Sequence, residues 1–165
     1  MIGIGLSAVR YLDLRAIVVA IITTLSAHGG VPREAPALED AIAHAVAADP
    51  SPLFGDERLE AAIMGYWAWR ESGLSTRPRP WSWDAHAHVS CGFMQLRCER
   101  LPDSVADQAR AWLVLAHQGE IDCPDSPLAP LSGSCTAARP LAERRLRRIR
   151  EWLEAYDAAG AVAAE

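Results

Sequence analysis

Residues 56–73, DERLEAAIMGYWAWRESG, decide the fold class of this chain. Asp56 is a favourable N-cap and Gly73 is a favourable residue just beyond a helix end, so one helix is predicted between them. Apolar residues recur along it at helical spacing, and we expect this face to be buried in a core. The residues of that face are Leu59, Ile63, Tyr66 and Trp67.

The same periodicity predicts helices over residues 37–48 and 103–118, and a last helix that begins at Pro140. Segments rich in proline, glycine and serine separate these helices. The few β-branched and aromatic residues do not alternate along the chain, which favours helix over sheet. We therefore predict a mostly α fold with one small loop or hairpin around residues 92–96.

Length and charge limit the classes of function. The 165 residues suit one domain that buries its own core, and we place a single domain over residues 31–157, followed by a flexible tail over 158–165. The net charge of −5 gives no indication of nucleic-acid binding. The last helix carries an arginine-rich face. This face is either simply exposed to solvent or attracted to an anionic surface. Its residues are Arg144, Arg145, Arg147, Arg148 and Arg150.

The first 30 residues contain an apolar run, AIVVAIITTLSA, at Ala16–Ala27. These 12 residues are too few to span a bilayer, which needs about 20. Asp13 before the run and the poor cleavage site after it favour a first core helix that ends at Gly29 and Gly30. The alternative is a signal or anchor segment that links the protein to a membrane or a virion.

Four cysteines, an even number, lie in the second half of the chain. Two disulfides in an oxidising compartment would explain this set, and four free buried thiols are the alternative. Four cysteines allow three connectivities, among which local pairing closes two short loops. That pairing is Cys91–Cys98 with Cys123–Cys135.

Glu71 is the first residue with candidate chemistry. It falls in the last turn of the predicted helix, where the carbonyl dipoles disfavour a negative charge, and it follows the aromatic sequence YWAW at 66–69. Both effects favour the protonated carboxyl that a glycosidase needs as its proton donor. The alternative is an exposed glutamate paired with Arg70 or Arg77.

A second element, Gly92-Phe93-Met94-Gln95-Leu96, begins 21 residues after Glu71. The glycine permits a close backbone approach to a ligand, and the amide of Gln95 offers a donor and an acceptor to sugar hydroxyls or acetamides. Phe93 and Met94 would form an apolar floor. By itself this segment would equally suit a short buried strand.

Together, Glu-Ser-Gly at 71–73 and Gly-Phe-Met-Gln-Leu at 92–96 resemble the lytic transglycosylase and goose-type lysozyme family. The resemblance extends over about residues 37–153, and its specific part is these two motifs. It implies a protein with a lysozyme-like fold that cleaves the glycan strands of peptidoglycan and needs no cofactor or metal. By the same resemblance Glu71 is the catalytic acid/base, Ser72 a supporting hydroxyl, and residues 92–95 line the substrate cleft.

The family's third signature, a Tyr-Asn-Ala-Gly-like segment, is missing from this chain. Residues 131–135, LSGSC, occupy the corresponding place, where Ser132 and Gly133 are the candidates for substrate binding. The implied mechanism uses the single carboxyl of Glu71. A two-carboxylate hydrolysis would need a partner, for which Asp84 is the candidate.

Two other readings of the sequence stay open. A non-enzymatic wall-binding or virion protein with a lysozyme-like fold would explain the missing signature. A zinc site is the smaller alternative, and its ligands would be His86, His88, Cys91 and Cys98. Either wall-directed function implies an extracytoplasmic or virion-associated protein.

Overall fold

The computed structural model describes residues 6–27, 29–31, 33–72, 90–94, 96–97 and 101–163. Over these residues the chain is mostly helical, as predicted. The helices are α1 (Leu6–Leu25), α2 (Ala35–Ala48), α3 (Glu57–Ser72), α4 (Val105–Asp122) and α5 (Arg139–Ala163). Two-residue strands, β1 (Ser90–Cys91) and β2 (Leu96–Arg97), pair antiparallel around the predicted 92–96 segment, and 3-10 turns cover Leu53–Gly55 and Ala129–Ser132.

The chain divides into two compact units, Met1–Leu113 and Val114–Glu165. The division falls inside α4, a helix that the sequence predicts without interruption. Helical periodicity is a local property, so it carries no information about which half of a helix packs with which neighbours.

In the first unit, α1, α2 and α3 pack against one another and form the core. A Cβ atom added to Gly65 of α3 would lie 2.8 Å from Cγ2 of Ile21, so this glycine permits the close approach of α1 and α3. The apolar run of α1 therefore contributes directly to the core of this unit. Its buried residues are Leu14, Ile17, Val18, Ile21 and Ile22.

Charged side chains join α1 to α2 at the edge of this core. Arg15 and Tyr11 both donate hydrogen bonds to Asp40, and the bond from Arg15 is the main reason that the pKa of Asp40 lies below its usual value. Glu39 is only 5% exposed, and burial raises its pKa although Arg15, 3.8 Å away, acts in the opposite direction. The ionised form of Glu39 is therefore disfavoured in the folded protein.

The second unit contains α5 and the loop that precedes it. A disulfide joins Cys123 to Cys135 with a Cα–Cα distance of 5.6 Å, which confirms one of the two predicted bridges. The other predicted pair involves Cys98, which lies outside the described residues. Near the bridge, Arg139 pairs with Asp125 at 3.5 Å and with Glu143 at 2.7 Å.

Helix α5 continues to Ala163, through most of the segment for which we predicted a flexible tail. Alanine has the highest intrinsic helix propensity, so an alanine-rich end extends a helix that is already formed. Among the residues that the structure describes, no helix is long and apolar enough to cross a membrane.

Candidate functional site

Glu71 lies in the last turn of α3, and its side chain is partly exposed. The helix begins as predicted, because Oδ1 of Asp56 accepts hydrogen bonds from the backbone N–H groups of Arg58 and Leu59 at 3.0 Å. The predicted cap at Asp56 is therefore confirmed. A fixed start and 16 regular residues place Glu71 at a defined position at the opposite end of the helix.

The residues next to Glu71 in α3 are firmly packed. Ser72 is fully buried, and its hydroxyl donates a hydrogen bond of 2.6 Å to the carbonyl oxygen of Ala68 one turn earlier. Trp67 is 1% exposed and packs on Trp112 of α4, with ring centroids 6.2 Å apart. The hydroxyl of Ser72 is thus hydrogen-bonded within its own helix.

Gly92 begins the turn between β1 and β2 with φ of +73°, a conformation that L-residues with a side chain rarely adopt. A Cβ atom at this position would collide with Oε1 of Gln108 and with Cδ1 of Leu101. Phe93 and Met94 are 1% and 3% exposed, respectively. They anchor the turn in the core and expose almost no surface to which a ligand could bind.

Gln108 of α4 is the residue that holds this turn in place, and the sequence analysis missed it. Its Oε1 accepts a hydrogen bond of 3.3 Å from the backbone N–H of Phe93, and its Nε2 donates one of 3.1 Å to the carbonyl oxygen of Pro102. The side chain is 6% exposed. A signal was present, because Gln108 interrupts the predicted apolar face of this helix between Val105 and Trp112.

Glu60 of α3 is a second polar residue that the sequence analysis missed, and it is 0% exposed. It lies three residues before Ile63 and seven before Trp67, and thus on the predicted core face. Glutamate is rarely fully buried in proteins. A glutamate at a position that the helical spacing assigns to the core is therefore unusual, and the sequence could have indicated it.

The predicted site residues are divided between the two units and the part of the chain that the structure does not describe. Glu71, Ser72 and the turn at 92–94 belong to the first unit, whereas Ser132 and Gly133 belong to the second. Several predicted residues lie outside the described residues, and Cys91 is described only by its backbone in β1. Those outside are Asp84, His86, His88, Gln95 and Cys98.

Two grooves occur in the described part of the second unit. One of about 400 Å³ lies along α5, and another of about 230 Å³ borders the Cys123–Cys135 disulfide. Glu71 lines neither of them. Residues 73–89, which follow α3 in the chain, lie outside the described residues, so the predicted cleft beside Glu71 stays a prediction.

No protein-family model, curated protein sequence or solved structure matches the chain. The resemblance to lytic transglycosylases and goose-type lysozymes therefore continues to depend on the two sequence motifs at 71–73 and 92–96.

Proposed function

We propose that the protein has a lysozyme-like fold and cleaves the glycan strands of peptidoglycan, with Glu71 as its acid/base. The observation that carries this proposal is the position of Glu71, partly exposed in the last turn of a capped helix whose neighbouring residue Ser72 is fully buried. Such a carboxyl is accessible to a substrate and held by a rigid element, as a catalytic proton donor must be.

The turn at residues 92–94 gives this proposal further support. It requires glycine at position 92, and it is fixed to α4 through Gln108. Because buried neighbours anchor this turn, it is a rigid support on which a binding site can be built. In the proposed site, Gln95 follows this turn and positions the acetamides and hydroxyls of the sugars.

In the proposed reaction, the Glu71 carboxyl donates its proton to the oxygen that links N-acetylmuramic acid to N-acetylglucosamine. The bond from C1 of the muramic acid to that oxygen breaks, and the C6 hydroxyl of the same sugar attacks C1. The Glu71 carboxylate accepts the proton of that hydroxyl and returns to its starting state. The product is a 1,6-anhydro sugar, and no water is consumed.

The test is Glu71→Gln, which preserves the size of the side chain and removes the proton donor. Loss of general acid catalysis should lower muropeptide release about 10²–10⁴-fold. Release is measured by mass spectrometry on purified peptidoglycan, which also distinguishes anhydro from hydrolysed products. Glu57→Gln at the other end of α3 is the matched control and should retain activity. Full activity in Glu71→Gln would refute the proposal.

Asp84→Asn separates the single-carboxyl mechanism from a two-carboxylate hydrolysis. A small effect supports the mechanism proposed above. A loss as large as that of Glu71→Gln, together with hydrolysed products, would identify Asp84 as the second carboxylate.

The second candidate function is a wall-binding or virion protein that keeps the fold without the activity. The missing Tyr-Asn-like signature favours it, because Ser132 and Gly133 offer no aromatic ring against which a sugar could pack. This candidate predicts that the wild-type protein binds peptidoglycan and releases no muropeptides. For either function we propose an extracytoplasmic or virion-associated location, supported by the Cys123–Cys135 disulfide.

A further inference from the structure

The charges of this protein are distributed unevenly, and α5 carries most of the imbalance. Six of the 16 basic residues fall within residues 139–150, but only one of the 21 acidic residues does. In the rest of the chain acidic residues outnumber basic ones by 20 to 10. The first half of α5 is therefore a cationic segment in an otherwise acidic protein.

This arrangement opposes the stability of the helix itself. The N-terminal end of a helix carries a partial positive charge and favours acidic residues, whereas the C-terminal end favours basic ones. In α5 the first turn contains no acidic residue and the last turn no basic one. Arg144 and Arg148 also repel each other, since residues four apart lie on the same side of a helix. The helix dipole therefore does not account for the position of these arginines.

Three of these arginines form an exposed group on one face of α5, and we call them the arginine face: Arg144, Arg147 and Arg148. They are spaced three and four residues apart, so their side chains are neighbours on the helix surface. Within the described residues none of the three is paired with a carboxylate. By contrast, Arg139 on the same helix is paired with Asp125 and Glu143.

We infer that the arginine face binds the carboxylates of the peptide stems in peptidoglycan. This inference depends on the proposed function, which makes peptidoglycan the substrate. A guanidinium forms bidentate hydrogen bonds with a carboxylate, and adjacent arginines provide several such sites. A groove of about 400 Å³ borders this face, and its lining is mixed in charge: Glu143, Leu146, Arg147, Arg150, Glu151 and Glu154.

The character of the rest of the protein favours this partner over other polyanions. The net charge of −5 repels a densely charged polymer such as nucleic acid more strongly than a glycan with separated carboxylates. A helix that binds a lipid surface needs large apolar side chains next to its basic ones. The fully exposed residues beside the arginine face are instead mainly charged. The nearest large apolar residues, Leu146 and Trp152, are only partly exposed, and Leu141 is 36% exposed.

The inference is tested by sedimenting the protein with purified sacculi, in the Glu71→Gln background so that the polymer is not degraded. The triple variant R144Q/R147Q/R148Q should bind about tenfold more weakly at low salt, since each exposed ion pair contributes a few-fold. The difference should shrink as salt rises, because exposed pairs are screened. Arg139→Gln is the control and should bind as the parent does, because its charge is already paired.

A second arm uses sacculi whose peptide stems have been removed by an amidase. Binding of the parent should fall to the level of the triple variant. Equal binding of parent and triple variant to intact sacculi, or undiminished binding to the stripped glycan, would overturn the inference. Arginine-dependent binding to anionic vesicles or DNA as strong as that to sacculi would overturn the choice of partner.

These outcomes are independent of the catalytic test. If wild-type protein releases no muropeptides while the arginine variants lose binding, the arginine face stands and the enzymatic function fails. If Glu71→Gln abolishes activity while the arginine variants bind normally, the enzymatic function stands and the arginine face fails.

Discussion

Replacing Gly92 by alanine is the sharpest test of the turn that we place at the candidate site. The substitution forces an L-residue into a φ of +73°, which costs about 1–2 kcal/mol. The added Cβ also collides with Oε1 of Gln108, whose side chain bonds to Phe93 and Pro102. Moving that side chain would sacrifice two hydrogen bonds at about 1 kcal/mol each. The first unit should lose about 3 kcal/mol in total.

Gly55→Ala separates the two contributions. Gly55 has a similar φ of +70°, but a Cβ there would meet nothing within 4 Å. This control should therefore lose only the backbone contribution of about 1–2 kcal/mol. The difference between the variants, about 2 kcal/mol, measures the collisions with Gln108 and Leu101.

Urea unfolding followed by tryptophan fluorescence is a suitable assay, because Trp67 and Trp112 are buried in the first unit. In a Gln108→Ala background, the cost of Gly92→Ala should fall toward that of Gly55→Ala, since the closer of the two collision partners is gone and only Leu101 remains. If Gly92→Ala is no more destabilising than Gly55→Ala, the proposed role of Gln108 in fixing the turn is wrong.

Three further predictions follow from the described contacts. Glu39→Gln should stabilise the protein above the usual glutamate pKa, because burial raises the pKa of Glu39 and its ionisation therefore costs stability. The gain should vanish as pH falls below the usual glutamate pKa; urea titrations at several pH values that show no such trend would contradict it. Reducing the Cys123–Cys135 bridge, whose cysteines are 12 residues apart, should lower the free energy of unfolding of the second unit by about 3 kcal/mol. Unfolding with and without a dithiol measures this loss. The double variant Cys123→Ala/Cys135→Ala is the control, and the dithiol should not change its stability. Deleting residues 1–30 should expose the core of the first unit and give aggregated or dye-binding protein, whereas a soluble, cooperatively folding truncation would refute the core role of α1.

Much of this fold could be predicted from the sequence because the signals are local. The cap at Asp56 and the spacing of Leu59, Ile63 and Trp67 predict α3, and each of these signals involves residues about one helical turn apart. They place Glu71 at the end of the helix. The Cys123–Cys135 bridge was one of the predicted pairs, since it closes a short loop. Each of these features depends on residues close together in the chain.

The sequence alone did not determine the contacts between residues distant in the chain. Gln108 holds a backbone group 15 residues away, and only the packed structure shows that Gly92 must leave room for its side chain. The burial of Glu60 and the division of the chain within α4 likewise depend on which surfaces meet. Helical periodicity states which face of a helix is buried but not what covers it, so these features were decided by tertiary packing.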